Sequence, residues 1–233
     1  MNANPVAMEV SRPGPSARWS RYANVTLNSM AVIRVQSGEE FRQVAKLRQE
    51  GFGRLAGASS TPEWVDASDH AAGTFSLLAL SPNGEYIATL RIQDSRATAL
   101  DLATRVRLDS ILSPAHWPAV QFSRLCVSKH AEGYEAMFSL FKAAWRWSFV
   151  NGLRSILIAS PPWARPIYDF MCFDELGPAG RFLHELAGGA EHVTMRLDVQ
   201  GAESIWRAHG QPLCTTFFDV EHPNICASAR PQL

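Results

Sequence analysis

The run Val120-Gln121-Phe122-Ser123-Arg124-Leu125-Cys126-Val127 constrains this chain more than any other stretch. Its β-branched and aromatic residues make a strand, and the helical stretch that follows makes that strand a central one. A central strand wants burial, yet this one carries Gln121, Ser123 and Arg124. A guanidinium there is costly unless it meets a carboxylate, a carbonyl or an anionic ligand. Strict alternation puts Val120, Phe122, Arg124 and Cys126 on one face, and Gln121, Ser123, Leu125 and Val127 on the other. Gln121 and Arg124 share a face only if a β-bulge shifts the register between them. In either register the strand holds polar chemistry where a purely structural one has none.

The chain around it can bury such a strand. Its 233 residues, 46% of them hydrophobic, suffice for one sizeable core, or two small ones at most. Lys+Arg and Asp+Glu balance at 22 each, which speaks against a nucleic-acid-coating or polybasic membrane protein. Twelve Phe and seven Trp point to a large apolar interior or an apolar ligand pocket. Cys126, Cys172, Cys214 and Cys226 show neither C-x-x-C spacing nor a paired framework. Free thiols in a reducing cytoplasm are expected. The histidines show no metal-ligand spacing, so no metal site is expected. No apolar run approaches the roughly 20 residues of a membrane span. Residues 1–28, with Arg12, Pro13, Gly14, Pro15, Arg18 and Arg21, read as a disordered arm rather than a signal peptide.

Along the chain, 31–35 is a strand. Ser37 and Glu40 form a capping-box signature for a helix from 39 to about 52. Phe41, Val44, Ala45 and Phe52 line one face of it, and Arg48 falls on that same face. Arg48 either snorkels to water from the stripe's edge or has a functional role. A Gly/Ala/Ser loop leads to Thr61-Pro62-Glu63, an N-cap, N1 proline and acidic first turn. The short helix after it carries Trp64, Asp66 and Asp69. Residues 75–80 and 86–92 form a hairpin about Asn83-Gly84. The poorly patterned segment 93–118 holds a short helix near 108–112 and packs over something. After the central strand, a helix from 134 to about 150 turns Tyr134, Met137, Phe138, Phe141, Trp145, Ser148 and Phe149 inward, and Glu135, Lys142 and Arg146 outward. Then come a strand at 155–159, a helix opened by Pro161-Pro162 and ending near Cys172, and strands at 182–186 and 193–197. A tail frays from His222. This is an α/β order with helices on both faces of a mixed sheet.

In this order the chain resembles the GNAT acyltransferases, and more narrowly the branch of N-acyl amino acid synthases and acyl-homoserine lactone synthases. Five pieces between about Val32 and Leu197 carry the resemblance. Leu47-Arg48-Gln49-Glu50-Gly51-Phe52 is similar to the branch's L-R-x-x-x-F. Asp66-Ala67-Ser68-Asp69 looks like its D-x-x-D, and Thr89-Leu90-Arg91 like its T-x-R. Gln121 to Val127 resembles E-x-S-R-L-x-V, and Tyr168 to Phe173 resembles Y-x-x-x-G-F. Three departures accompany them: Gln121 for the glutamate, Cys172 for the glycine, and Lys129-His130-Ala131-Glu132-Gly133-Tyr134 for the glycine-spaced loop that cradles the CoA pyrophosphate.

The resemblance implies one domain over 29–221, between the arm and a tail at 222–233, with a mixed, mainly antiparallel sheet. It implies transfer of a fatty acyl chain from acyl-carrier protein to an amino acid or similar small amine, and no tightly bound cofactor. The donor is acyl-phosphopantetheine, and the loop departure favours the carrier protein over acyl-CoA. Gln121, Ser123, Arg124 and Tyr168 take catalytic positions. Arg48, Phe52, Trp64, Asp66, Asp69, Arg91, Phe122, Leu125, Cys126 and Val127 take substrate-binding ones, though Cys126 also reads as a small core filler and Tyr168 as a core tyrosine. The arginines either orient substrate or brace Asp66 and Asp69 in an ion-pair network. Because a neutral amide accepts no proton from an ammonium, Gln121 also keeps open a silent acyl-binding module. A CoA-dependent acetyltransferase is the other alternative.

Overall fold

The computed structural model describes residues 22, 25–53, 64–129, 132–184 and 188–227. A mixed sheet of eight strands forms its centre, in the order β1-β2-β3-β4-β5-β8-β6, with β7 also on β8. The strands are β1 Ala31–Arg34, β2 Thr74–Leu80, β3 Tyr86–Asp94, β4 Ala119–Val127, β5 Ser155–Ser160, β6 Asp174–Glu175, β7 Arg181–His184 and β8 Ala190–Asp198. Every pairing is antiparallel except β4 with β5.

Helices cover both faces. On the first lies α3, Gly133–Val150, over a core that includes Leu77 and Ala79 of β2 and Val120 and Phe122 of β4. On the second lies α1, Gly38–Phe52, whose Val44 and Leu47 meet Leu78 of β2. Leu77 and Leu78 are neighbours in a strand, so their side chains leave on opposite faces. The start of α1 is set by a capping box: Ser37 Oγ accepts the Glu40 N–H at 3.2 Å and Glu40 accepts the Ser37 N–H at 2.9 Å.

The β3–β4 connection also packs on the second face. It carries a 3₁₀ turn at Asp101–Thr104, the short α2 at Leu108–Ile111, and another 3₁₀ turn at Pro114–His116. Leu100, Leu102, Val106, Leu108 and Leu112 form a small second core with Ala119 of β4 and Leu157 of β5. After β5, α4 at Arg165–Phe170 leads to Cys172, and α5 at Ala202–Ala208 and a π-turn at Thr215–Asp219 close the first core.

Several expectations need correction. Lys142 is buried, not outward: its Nζ donates to Thr216 O at 2.8 Å and Val220 O at 2.6 Å, and lies 2.8 Å from His222 Nδ1. Tyr134 and Phe149, expected inside, are exposed. The helix expected to carry Trp64 is a 3₁₀ turn at Ala67–His70, with Asp66 as its N-cap and Trp64 ahead of it. The chain does not fray at His222. Ile225 bridges Val32, Val32 N–H donates to Asn224 O at 2.8 Å, and His222, Ile225 and Ala227 are buried. At the other end Tyr22, Val25 and Leu27 are buried, so packing begins before residue 29. The loop and N-cap expected at 54–63, and His130 and Ala131, lie outside the described residues.

Candidate active site

Two irregularities of β4 make the site. The first is a bulge. Ser123 faces Arg91 and Cys126 faces Thr89 across the β3–β4 ladder, so Arg124 and Leu125 together oppose Leu90 alone. Arg124 takes up the extra residue with a left-handed φ of 52°. Beyond the bulge the faces exchange. Leu125 and Val127 join Val120 and Phe122 on the α3 side, while Cys126 meets α1, close to Gly51. Strict alternation therefore fails from Arg124 through Val127, and Gln121, Ser123, Arg124 and Cys126 share the second face.

The second irregularity is a parting. β4 pairs with β5 only through Ala119, Val120 and Gln121, opposite Ser155, Ile156 and Leu157. Past Gln121 the two strands diverge, while β5 continues its ladder to β8 as far as Ser160. A cavity of about 940 Å³ opens at this gap and draws its walls from both sides of the sheet. On the α3 side the wall is apolar, with Phe122, Met137, Phe141, Ile158, Ile167 and Tyr168. On the other side it is polar, with Asp66, Arg91, Asp101, Gln121, Ser123 and Arg124.

The polar wall is the face of a network of three guanidiniums and three carboxylates. Arg48, fully buried, grips Asp69 with both terminal nitrogens at 2.8 and 2.9 Å, and also donates to Trp64 O at 2.8 Å and Ser76 Oγ at 3.1 Å. Asp66 and Asp69 cap their own turn: Asp66 Oδ1 accepts the Ser68 N–H at 2.9 Å, and Asp69 Oδ2 accepts the Asp66 N–H at 3.1 Å. Arg124 pairs with Asp66. Arg91 pairs with Asp101, donates from Nε to Ser123 Oγ at 3.1 Å, and has Nη1 3.7 Å from Asp66 and 3.9 Å from Asp69. Burial alone would raise the Asp69 carboxyl, but Arg48, the Asp66 N–H and Arg91 outweigh it and hold its pKa below the usual range.

Of the expected site residues, the cavity walls include Phe52, Trp64, Asp66, Arg91, Gln121, Phe122, Ser123, Arg124, Leu125, Cys126, Val127 and Tyr168. Arg48 and Asp69 do not reach the cavity. They lie behind it as a buried pair that holds the Asp66 turn, so the geometry gives them a bracing place rather than a substrate-binding one. Gln121 is tied down too, its Oε1 accepting the Leu102 N–H at 2.9 Å. Burial pushes the Cys126 thiol up to about 12, so no thiolate is available there near neutral pH. Tyr168 is also buried and its pKa rises for that reason.

Sequence reasoning missed Asp101. This carboxylate stands on the polar wall, and its Oδ1 accepts from Gln93 Nε2 at 2.9 Å. Its only signal was the length of the 93–118 segment, which demanded packing without saying against what.

A sheet parted at one parallel pairing, with helices on both faces, is the GNAT fold. No family model and no curated protein sequence matches the chain. Solved structures do. FeeM, an N-acyl amino acid synthase from uncultured soil microbes, superposes with a TM-score of 0.59 at 14% identity, over 75% of this chain and 93% of that one. The CoA-dependent acyl-homoserine lactone synthase BjaI gives 0.60 at 17% identity, over 88% and 95%. The acyl-homoserine lactone synthase LasI gives 0.57 at 14%, over 83% and 97%. At these identities the likeness establishes the fold.

Proposed function

We propose that this chain is an N-acyltransferase, moving a fatty acyl group from the pantetheine thioester of an acyl-carrier protein to the amino group of an amino acid or similar small amine. The observation that carries the reading is the two-sided cavity at the β4–β5 gap. An extended pantetheine arm fits a gap between strands that have stopped pairing, because its amides can take up the missing ladder bonds. The thioester then lies between the apolar wall, suited to an acyl chain, and the polar wall, suited to an amine. Tyr168 keeps its proton at neutral pH and can give it to the leaving thiolate.

For the donor, Glu132 is the N-cap of α3 and makes no side-chain cap bond. A carboxylate at that helix start disfavours the pyrophosphate of CoA, whereas a carrier protein brings one phosphate on its arm. BjaI, with the same fold, is a CoA-dependent enzyme, so both donors belong in the test. Lys129 is exposed for docking an acidic carrier; Lys142, buried, is not. Four free cysteines fit a cytoplasmic location.

The test incubates the purified chain with octanoyl- and hexadecanoyl-loaded carrier protein, or the matching acyl-CoAs, and the twenty amino acids, with mass-spectrometric detection of N-acyl products. The carrier-protein reaction should be the faster at equal donor concentration and should weaken with salt. Arg124→Ala releases Asp66 and should cut the rate by about 10²-fold or more, while Arg42→Ala on the exposed face of α1 should leave it unchanged. Full activity in a folded Arg124→Ala protein would refute the role of this wall. A faster, salt-independent reaction with acyl-CoA would refute the donor.

A further inference from the structure

We propose that Asp101, delivered by the β3–β4 connection, is the proton acceptor for the attacking amine. This rests on the acyltransferase reading and goes beyond it by supplying the base that the reading lacks. An acceptor amine arrives mostly as its ammonium at neutral pH and cannot attack until it loses a proton. Gln121 has an amide and cannot take it. Among the described residues, the cavity wall holds two carboxylates, Asp66 and Asp101.

The two are not equivalent. Asp66 accepts one hydrogen bond on each oxygen, from the Ser68 N–H on Oδ1 and from Arg124 on Oδ2, and its Oδ1 also faces Arg91 at 3.7 Å. It is the N-cap that shapes its own turn. Asp101 likewise takes one bond on each oxygen, from Gln93 Nε2 and from Arg91, but it caps no turn and has no second cation against it among the described residues. A carboxylate has about four acceptor positions, so one remains on each oxygen. Its side chain keeps 38% exposure against 28% for Asp66.

Position favours Asp101 as well. Gln93 lies across the ladder from Gln121, and Arg91 across from Ser123. Asp101 binds the side chains of Gln93 and Arg91, while the N–H of the next residue, Leu102, is held by Gln121. The carboxylate is thereby clamped over the last β4 residue that pairs with β5, at the neck of the gap. Gln121 becomes a positioning residue: it anchors the turn that carries the base.

The step balances simply. One proton passes from the acceptor's ammonium nitrogen to Asp101. The neutral amine attacks the thioester carbon, forming C–N and breaking C–S. The second nitrogen-bound proton leaves with the thiol, through Tyr168, and the third stays on the product amide. Asp101 returns its proton to solvent through its exposed side.

The other charged and titratable groups that share the cavity are Arg91 on β3, Arg105 at the end of the turn, Arg124 on β4, Asp66, Cys126, Tyr22, Tyr134, Tyr168, and His184 and His192 on β7 and β8. Burial lowers the His192 pKa, so that ring is neutral where the assay is run.

The test is Asp101→Asn, nearly isosteric and still able to accept from Gln93, in the full chain with octanoyl-loaded carrier protein and the amino-acid pool. The initial rate at pH 7 should fall about 10²- to 10³-fold. It should then rise tenfold per pH unit towards the wild-type rate, as the amine deprotonates unaided. Asp101→Ala should lose as much and regain activity on addition of formate, which a merely structural role would not allow. Circular dichroism separates unfolding from lost chemistry, and Asp101→Glu, which keeps a carboxylate, should retain more activity than Asp101→Asn. An active wild type whose Asp101→Asn variant stays within threefold at pH 7 overturns this assignment alone, as does a folded Asp101→Ala protein indifferent to formate. A wild type inert towards every donor overturns the acyltransferase reading and this inference with it.

Discussion

Arg48 is a long cation with none of its surface in water, on a helix face otherwise given to Val44 and Leu47. Such a group is tolerated because Asp69 meets it with both oxygens and two further acceptors take the other N–H groups of its terminal nitrogens, leaving only Nε without a partner among the described residues. The two aspartates three apart owe their spacing to the turn: each caps the other's end of it. Arginine on an apolar face was visible in the sequence; its partner, 21 residues further on, was not, because no periodicity links them. Asp69→Asn should cost about 3–5 kcal/mol at neutral pH, since it strands the guanidinium of Arg48 in the core. The sign with pH follows from the lowered pKa of Asp69. Its stabilisation is complete above the unfolded carboxylate value and fades as pH falls through the folded one. Urea melts of both proteins should therefore converge in acid, as far as the wild type stays folded. A gap that widens as pH falls would contradict the pairing.

At the scale of elements, the sequence announced β4, the hairpin β2–β3, α1 and α3, because each has a clear period or turn. It also posed the condition for Gln121 and Arg124 to share a face, which the bulge meets. What periodicity could not show was the contact it creates: the bulge turns Cys126 towards α1. A Cβ at Gly51 would lie 3.0 Å from Cys126 Sγ and 3.2 Å from its Cβ. Glycine inside a helix costs about 1 kcal/mol relative to alanine, so an ordinary helix would gain from Gly51→Ala. Here the close approach should reverse the sign and destabilise the protein, by about 1–3 kcal/mol as overpacking does. The double-mutant cycle with Cys126→Ala checks the cause, because removing Sγ should recover part of the loss. A Gly51→Ala protein more stable than wild type would show that α1 has room to move. The same limit hid Asp101: the 3₁₀ turn that carries it has no sequence period, and contacts distant in sequence, from Gln93, Arg91 and Gln121, place it.

Over the whole molecule, the two ends of the described chain converge on the first core. Tyr22, Val25 and Leu27 pack into it from one side, and Ile225 and Ala227 from the other. Between them Lys142 binds α3 to the stretch that follows α5, through Thr216 O, Val220 O and His222. Burial, then the nearby Arg146, lowers the pKa of Lys142 to about 8. This lysine is partly neutral in mildly basic solution while the unfolded chain still holds its proton. Its contribution to stability accordingly rises with pH from about 8 up to the ordinary lysine value. Composition made 222–233 look like a loose tail, since Pro, Asn, Ser and Arg crowd there; a single fully buried Ile225 outweighs them. Ending the chain after Glu221 removes that side chain, the Val32–Asn224 hydrogen bond and the His222 partner of Lys142. Burial of one isoleucine is worth about 1.5–3 kcal/mol, and an orphaned polar group costs about 1–3 kcal/mol more. The truncated protein should thus lose about 3–5 kcal/mol, or roughly 6–20 °C in Tm for a chain of this size. Ile225→Ala in the full-length chain should reproduce about half or more of the truncation's loss, because the buried side chain outweighs the single backbone bond. A Tm unchanged by removal of 222–233 would show that the core closes without its last segment.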